Sequence, residues 1–243
     1  MGKNLSHQDL IWVVPCVGGV DYPVDQPAEP MTVTIMNQVY DVQVQYHQLR
    51  NITYVLLDAP VFRQQTKAEP YPARMDDMTS AVYYSAWNQC IAQAITRFPI
   101  DLYHINDYHG TVAPLYLLPR TVPACLSLHN AEFQGLWPMR TKKERDEVSS
   151  VYNLPWPVVA EFVMFGEIFN LLHAGTRLMG NTSPSLRHLL TLLPRRIVFA
   201  RLPARIRCCR RLQEVRKALL RTISNIMGSQ ESKSDRWVKS SPR

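Results

Sequence analysis

The sequence predicts an α/β protein built on a doubly wound, mainly parallel sheet, and three observations carry that prediction. Short apolar runs recur at 10–17, 52–57, 100–105 and 122–128. Helical spacing over 78–97 and a short segment at 110–118 separate the later runs, giving strand–helix–strand–helix–strand. Polar clusters follow two of these runs directly, and ligands bind at the carboxyl ends of strands in such sheets.

The elements run in order along the chain. Leu10–Val17 is a continuous apolar run closed by Gly18-Gly19, the pattern of a buried strand. Residues 21–30, with Pro23, Pro27 and Pro30, read as loop. Met31–Met36 and Val39–Tyr46 alternate with period two, and Asn37-Gln38 is the expected hairpin turn. Ile52–Leu57 is a further strand. Met78–Arg97 places Val82, Ala86, Ile91 and Ile95 on one helical face, with Asp76-Asp77 as cap and Pro99 as stop. After the strands at 100–105 and 122–128, helices are expected at 141–151 and 158–172.

Composition narrows the classes. Hydrophobic residues are 46% and charged residues 19% of 243, enough for a core and too few charges for a disordered chain. The longest apolar run, Leu10–Val20, is eleven residues and holds Pro15, Gly18 and Gly19, whereas a membrane span needs about 20. No apolar stretch precedes Leu10, so neither a transmembrane segment nor a signal peptide is expected. Cys16, Cys90, Cys125, Cys208 and Cys209 follow no disulfide or zinc spacing and read as reduced thiols. Residues 1–175 carry 11 Lys+Arg and 17 Asp+Glu, a net of −6; residues 176–243 carry 16 and 3, a net of +13. The acidic body gives no electrostatic reason to expect nucleic acid.

Two clusters stand at strand ends, His104-Ile105-Asn106-Asp107-Tyr108-His109 and Ser127-Leu128-His129-Asn130. Asp107 can hold a substrate hydroxyl or a developing cation, or it can cap the helix near Gly110. His129 can donate to a sugar or phosphate, or it can be an ordinary loop histidine. Tyr108, Phe133, Trp137 and Trp156 offer flat faces for sugar rings. His104, Asp107 and His109 allow a metal reading, but a strand-to-turn segment does not make them converge. Gly18-Gly19 lacks phosphate-loop spacing.

These clusters carry a resemblance. His104–His109 with Ala113-Pro114-Leu115-Tyr116 resembles the His-x-His-Asp-Trp-His…Ala-Pro-x-Tyr segment of glycogen and starch synthases. Leu128–Gly135 resembles their Val-His-Asn-x-x-Tyr-Gln-Gly, and Tyr54–Pro60 is similar to the preceding strand. Asn106, Tyr108, Ala131-Glu132, Leu136–Arg140 and Asp9–Pro15 are closer to the synthase domain of fungal cell-wall α-1,3-glucan synthases. The resemblance implies a Rossmann-like first half of a two-Rossmann-domain, GT-B type, retaining hexosyltransferase. Such an enzyme moves glucose from UDP- or ADP-glucose to an α-glucan in cell-wall synthesis, with no metal or cofactor. It implies Asp107 and His129 as catalytic residues and His104, His109, Asn130, Gln134 and Gly135 as substrate contacts. The family's full-length members belong to the plasma membrane and cell wall, with this domain facing the cytoplasm.

The resemblance covers about residues 1–175, and the expected domain boundary lies there. The family's donor-phosphate loop and its second Rossmann domain, with the catalytic Glu, are not matched, so a fragment inactive alone is expected; the alternative is a non-catalytic or vestigial sugar-binding domain. Residues 176–243 are expected to be a basic tail outside the family, disordered or out of frame, that does not pack on the body. Codons compatible with Gln213–Glu231, read one base later, permit a string that resembles the family's next segment.

Overall fold

The computed structural model describes residues 8–72, 77–129, 132–139, 141–181 and 196–200, with backbone alone for 179–181 and 196–200. All of these lie within the compact unit Met1–Ala204. Ten strands and five helices succeed one another in chain order among them. They are β1 (Asp9–Pro15), β2 (Gln26–Ile35), β3 (Gln38–Leu49), β4 (Ile52–Asp58), α1 (Pro60–Arg63), α2 (Met78–Arg97), β5 (Leu102–Asn106) and a 3-10 turn at Ala113–Leu117. Then come β6 (Ala124–Ser127), β7 (Leu136–Pro138), α3 (Lys142–Tyr152), α4 (Trp156–Val158), β8 (Met164–Phe165), β9 (Ile168–Asn170), α5 (Leu171–Asn181) and β10 (Arg196–Ala200).

The main sheet has the order β2-β3-β4-β1-β10-β5-β6. β4, β1, β10, β5 and β6 run parallel, and β2 and β3 extend the sheet antiparallel. A second sheet, β7-β9-β8, is antiparallel. The expected strands and α2 are present, and four details differ. Residues 26–30 are strand rather than loop. β2 is an edge strand, where Pro27 and Pro30 forfeit no ladder bond, and the register shifts between Ala28 and Met31. The hairpin turn is Met36-Asn37, one residue early; both are left-handed (φ 51° and 63°), as a two-residue loop between paired Ile35 and Gln38 requires. The expected helix over 158–172 is broken by the β8–β9 hairpin, because Gly166 (φ 62°) turns the chain.

The fourth difference concerns the domain boundary. α5 runs through Gly175 to Asn181, and β10 lies in the middle of the sheet between β1 and β5. These residues therefore contradict the expectation that nothing after 175 packs on the body. Gly175 faces Thr111 so closely that an added Cβ would lie 2.6 Å from its methyl, so the boundary position is itself a packing contact. Gln213–Glu231 lie outside the described residues.

Helix α2 organises the fold. Asp77 caps it, its carboxylate accepting the Ser80 N–H at 2.8 Å. Trp87, Tyr83, Tyr84 and Ile91 are fully buried against Phe62 and the sheet, each apolar side chain contributing about 1.5–3 kcal/mol. Gln89 and Gln93, one turn apart, act as a substitute strand beside β2. Gln89 accepts from the Thr34 N–H (2.9 Å) and donates to its carbonyl (2.9 Å), and Gln93 does the same at Thr32 (3.3 and 2.6 Å). Arg97 then donates to the carbonyls of Glu29 and Pro30. The outer edge of the sheet is thereby covered by side chains.

Replacing both amides, Gln89→Leu with Gln93→Leu, is expected to speed hydrogen exchange at Thr32 and Thr34 by at least about tenfold and to promote self-association. Unchanged exchange at those two amides would show that the side-chain ladder does not protect the edge.

Candidate functional site

The parallel strands β5 and β6 end side by side, and the candidate site is built on the segments that leave their carboxyl ends. Asp107 continues the ladder for one residue, its N–H donating to the Ser127 carbonyl at 2.8 Å. Its backbone then turns left-handed (φ 51°), a conformation Asp tolerates better than most residues. One carboxylate oxygen accepts the backbone N–H of His129 at 2.6 Å, and the His129 Nε2 lies 3.1 Å from the Asn106 side-chain oxygen. Asp107 and His129, from separate strand ends, thus share one rim, with the His129 ring exposed.

Asp107 is not the cap of the following turn. The N–H groups of Val112 and Ala113 go instead to the side-chain oxygen of Asn88 on α2, at 3.1 and 2.8 Å. The Asn88 amide nitrogen donates to the carbonyls of Tyr84 (2.8 Å) and His109 (3.0 Å). All four hydrogen-bonding positions of this buried amide are used, and three of them hold residues 109–113. The cap of the 113–117 turn therefore comes from a residue remote in sequence. The segment is tightened further by Tyr103, whose hydroxyl donates to the Gly110 carbonyl at 2.8 Å; a Cβ at Gly110 would meet that hydroxyl at 2.3 Å. The Thr111 hydroxyl sits between the carbonyls of Tyr108 and Leu171, tying the turn to α5.

His104 and His109 do not point to a common centre. His104 Nε2 pairs with the Ser127 hydroxyl at 2.7 Å beneath the rim. Burial, with a smaller contribution from His129, lowers its pKa to about 4. His109 packs among Tyr71, Tyr84 and Tyr108, its Nδ1 3.0 Å from the Tyr84 hydroxyl, and burial lowers its pKa to about 3. Both are neutral at pH 7. Among the described residues no three His, Cys, Asp or Glu side chains are grouped to hold a metal ion.

The second polar cluster divides. The Gln134 side chain accepts from Asn170 (3.2 Å), and its carbonyl accepts the Leu172 N–H (3.0 Å). Gly135 is left-handed (φ 67°), and an added Cβ would lie 2.8 Å from Leu171. Both therefore seat the start of α5. Asn130 lies outside the described residues. Of the aromatic faces, Tyr108 is buried, Trp137 is half-buried, and Phe133 and Trp156 are exposed. Sequence reading missed Asn88 and Tyr84, which fix the turn. A signal existed in Asn88, a poor helix former in the middle of a helix.

The arrangement offers a carboxylate and an exposed imidazole on a rigid rim, apt for holding sugar hydroxyls and a leaving phosphate. The family model described as starch synthase catalytic domain matches residues 9–181. The cell wall alpha-1,3-glucan synthases mok13 and ags1 of Schizosaccharomyces pombe are 64% identical over 175 residues and 63% over 174, each match covering 72% of this chain. The chain spans 7% of the length of those two relatives. The catalytic domain of starch synthase IV from Arabidopsis thaliana, solved bound to ADP and acarbose, superposes with a TM-score of 0.52 at 14% identity. That superposition covers 68% of this chain and 35% of that one. The fold is thus the Rossmann-like half of a GT-B type catalytic domain.

Two outcomes are expected. Asn88→Leu leaves two buried N–H groups unpaired and should lower stability by about 2–4 kcal/mol in urea unfolding, with the largest shift changes at 109–113; a loss under about 0.5 kcal/mol would remove Asn88 from this role. The folded-state pKa values of His104 and His109 lie below the unfolded value near 6.5, so the unfolded chain binds more protons in between. Stability should be full above about pH 6.5 and fall as the pH drops towards 4. A urea midpoint unchanged from pH 7 to pH 5 would contradict this.

Proposed function

The chain belongs to the starch synthase catalytic domain family, and from that membership we propose that it forms the first half of the catalytic cleft of a retaining glucosyltransferase of the α-1,3-glucan synthase type. Its donor is a nucleotide-glucose, UDP- or ADP-glucose, and its acceptor an α-glucan of the cell wall. A second Rossmann domain of the longer protein supplies the other wall. The observation that carries this reading is the joining of Asp107 and His129 at adjacent strand ends.

Departure of the nucleotide leaves positive charge at the anomeric carbon and negative charge on phosphate. In this reading the Asp107 carboxylate orients the glucosyl ring through a hydroxyl and faces the developing cation. The His129 ring donates to the sugar or the departing phosphate. Both groups sit on backbone that hydrogen bonds already fix, so little reorganisation accompanies the reaction. His104, neutral under the rim, holds Ser127 from below. The nucleotide-sugar is the substrate, and neither a metal nor an organic cofactor enters the proposal. The domain works on the cytoplasmic side of the membrane, against a glucan destined for the wall. No helix among the described residues is long and apolar enough to cross a membrane.

The test is glucose transfer by the full-length protein that carries this chain, followed as label moving from nucleotide-glucose into α-glucan. Asp107→Asn and His129→Ala should each reduce the rate by at least about 100-fold at unchanged protein level. The 243-residue chain alone should show no turnover. Wild-type rates in Asp107→Asn would overturn the assignment.

A further inference from the structure

A second cavity opens on the carboxyl-end rim of the same sheet, at the ends of β1 and β4. Its volume is about 220 Å³, and Tyr22, Val24, Gln45, Leu56, Asp58 and Arg63 form most of its wall. In the order β4-β1-β10-β5 it lies three strand spacings from Asp107, about 14 Å along the rim.

The wall is locked in place. Arg63 grips Asp58 with two parallel bonds, Nε to Oδ1 at 2.7 Å and Nη2 to Oδ2 at 2.6 Å. Its Nη1 donates to the carbonyls of Val17 and Val20, both at 3.2 Å, and its guanidinium lies over the Tyr22 ring at 5.4 Å. Gly18 passes so close that a Cβ there would meet the Arg63 carbonyl at 2.5 Å. The Tyr22 hydroxyl accepts the Val17 N–H at 3.0 Å, which leaves its own O–H to donate. Gln45, paired across the ladder with Leu56, has a buried carbonyl oxygen with no hydrogen-bond partner among the described residues. Such a group costs about 1–3 kcal/mol until something donates to it.

The chemistry of the wall selects its occupant. Asp21 and Asp58 outnumber Arg63, whose guanidinium is already committed, so a phosphate finds repulsion and no uncommitted cation. The hydrogen bonds from Arg63 hold Asp58 below the usual carboxylate range, and burial pushes the Cys16 thiol in the wall up to about 12. The wall therefore presents acceptors, one phenolic donor and the apolar surfaces of Val24 and Leu56. That combination suits a neutral ring with hydroxyls at its edge and C–H groups on its faces. The volume equals about seven waters at about 30 Å³ each and falls below the roughly 300 Å³ of a drug-sized site, so one ring fits. We propose that this cavity is an accessory subsite for a single glucosyl unit of the α-glucan, separate from the Asp107–His129 rim. The identity of the sugar rests on the function proposed above; the cavity, its size and its polarity do not.

The experiment is a side-chain and backbone NMR titration of the 243-residue chain with glucose and with the α-1,3-linked disaccharide nigerose, with inorganic phosphate as control. Glucose should shift the Gln45 side-chain amide and the Tyr22 backbone. Val24→Trp, at a position 77% exposed, fills the mouth and should weaken that binding by at least about tenfold. The amides of Asp107 and His129 should keep their shifts in this variant, reporting an intact fold. Asp107→Asn should leave cavity binding unchanged. Sugar-induced shifts confined to 104–129, shifts at Gln45 caused by phosphate, or no sugar shift at Gln45 would each overturn the subsite. The first of these would leave the reading of the Asp107 rim standing. Conversely, cavity binding together with unimpaired glucose transfer in Asp107→Asn would sink that reading and not this one.

Discussion

The row of polar side chains on α2 is the interaction on which the rest of the structure depends. Gln89, Gln93 and Arg97 bind the backbone of edge strand β2, while Asn88, one position earlier, binds the turn after β5. One helix thus spans the sheet from its outer edge to the Asp107–His129 rim. The helix is buried almost all round, so these polar groups lie where an unmet hydrogen bond is costly. Their pairing is satisfied only when sheet, helix and turn stand in one relative position. Apolar packing alone would tolerate a small slide of α2; the directional bonds of Asn88 and Gln89 do not.

That geometry explains which parts were legible from sequence. β1, β4 and α2 show in local pattern and capping: the apolar runs at 10–15 and 52–57, and Asp77 ahead of the helix. The pairing of Asp107 with His129 followed from their positions after neighbouring strands, because a parallel sheet brings such ends together. The capping of the 113–117 turn was not legible, since its acceptor is Asn88, 25 residues away from Ala113. The region 158–172 reads as one continuous helix because residues 156–163 are indeed helical and α5 starts at Leu171, whereas the turn at Gly166 between them reverses the chain. Gln134 and Gly135 carry the family resemblance, and in the structure both also seat the start of α5, a role that depends on contacts remote in sequence.

Charge patterning was a weaker guide to domain limits than packing. The break between a net of −6 and a net of +13 falls at residue 175, yet α5 crosses it and β10 pairs on both sides. Surface charge answers to solubility and partners, whereas an element's place in the fold answers to buried contacts, and the two need not change together.

The position of β10 gives α2 its larger importance. In the ladder order, β1 and β5 touch only through β10, a strand that comes after α5 in sequence. The ladder by itself would leave the β2-β3-β4-β1 part, which carries the small cavity, coupled to the β5-β6 part, which carries Asp107, through a single intervening strand. α2 supplies a second coupling, because it packs on β1 and β2 and holds residues 109–113 through Asn88. The relative placement of the two rim positions is therefore fixed twice, by the ladder and by helix side chains that converge on both halves. A glucan held at the small cavity would meet the Asp107 rim at a set separation, because the helix beneath both leaves little freedom for one half to shear against the other.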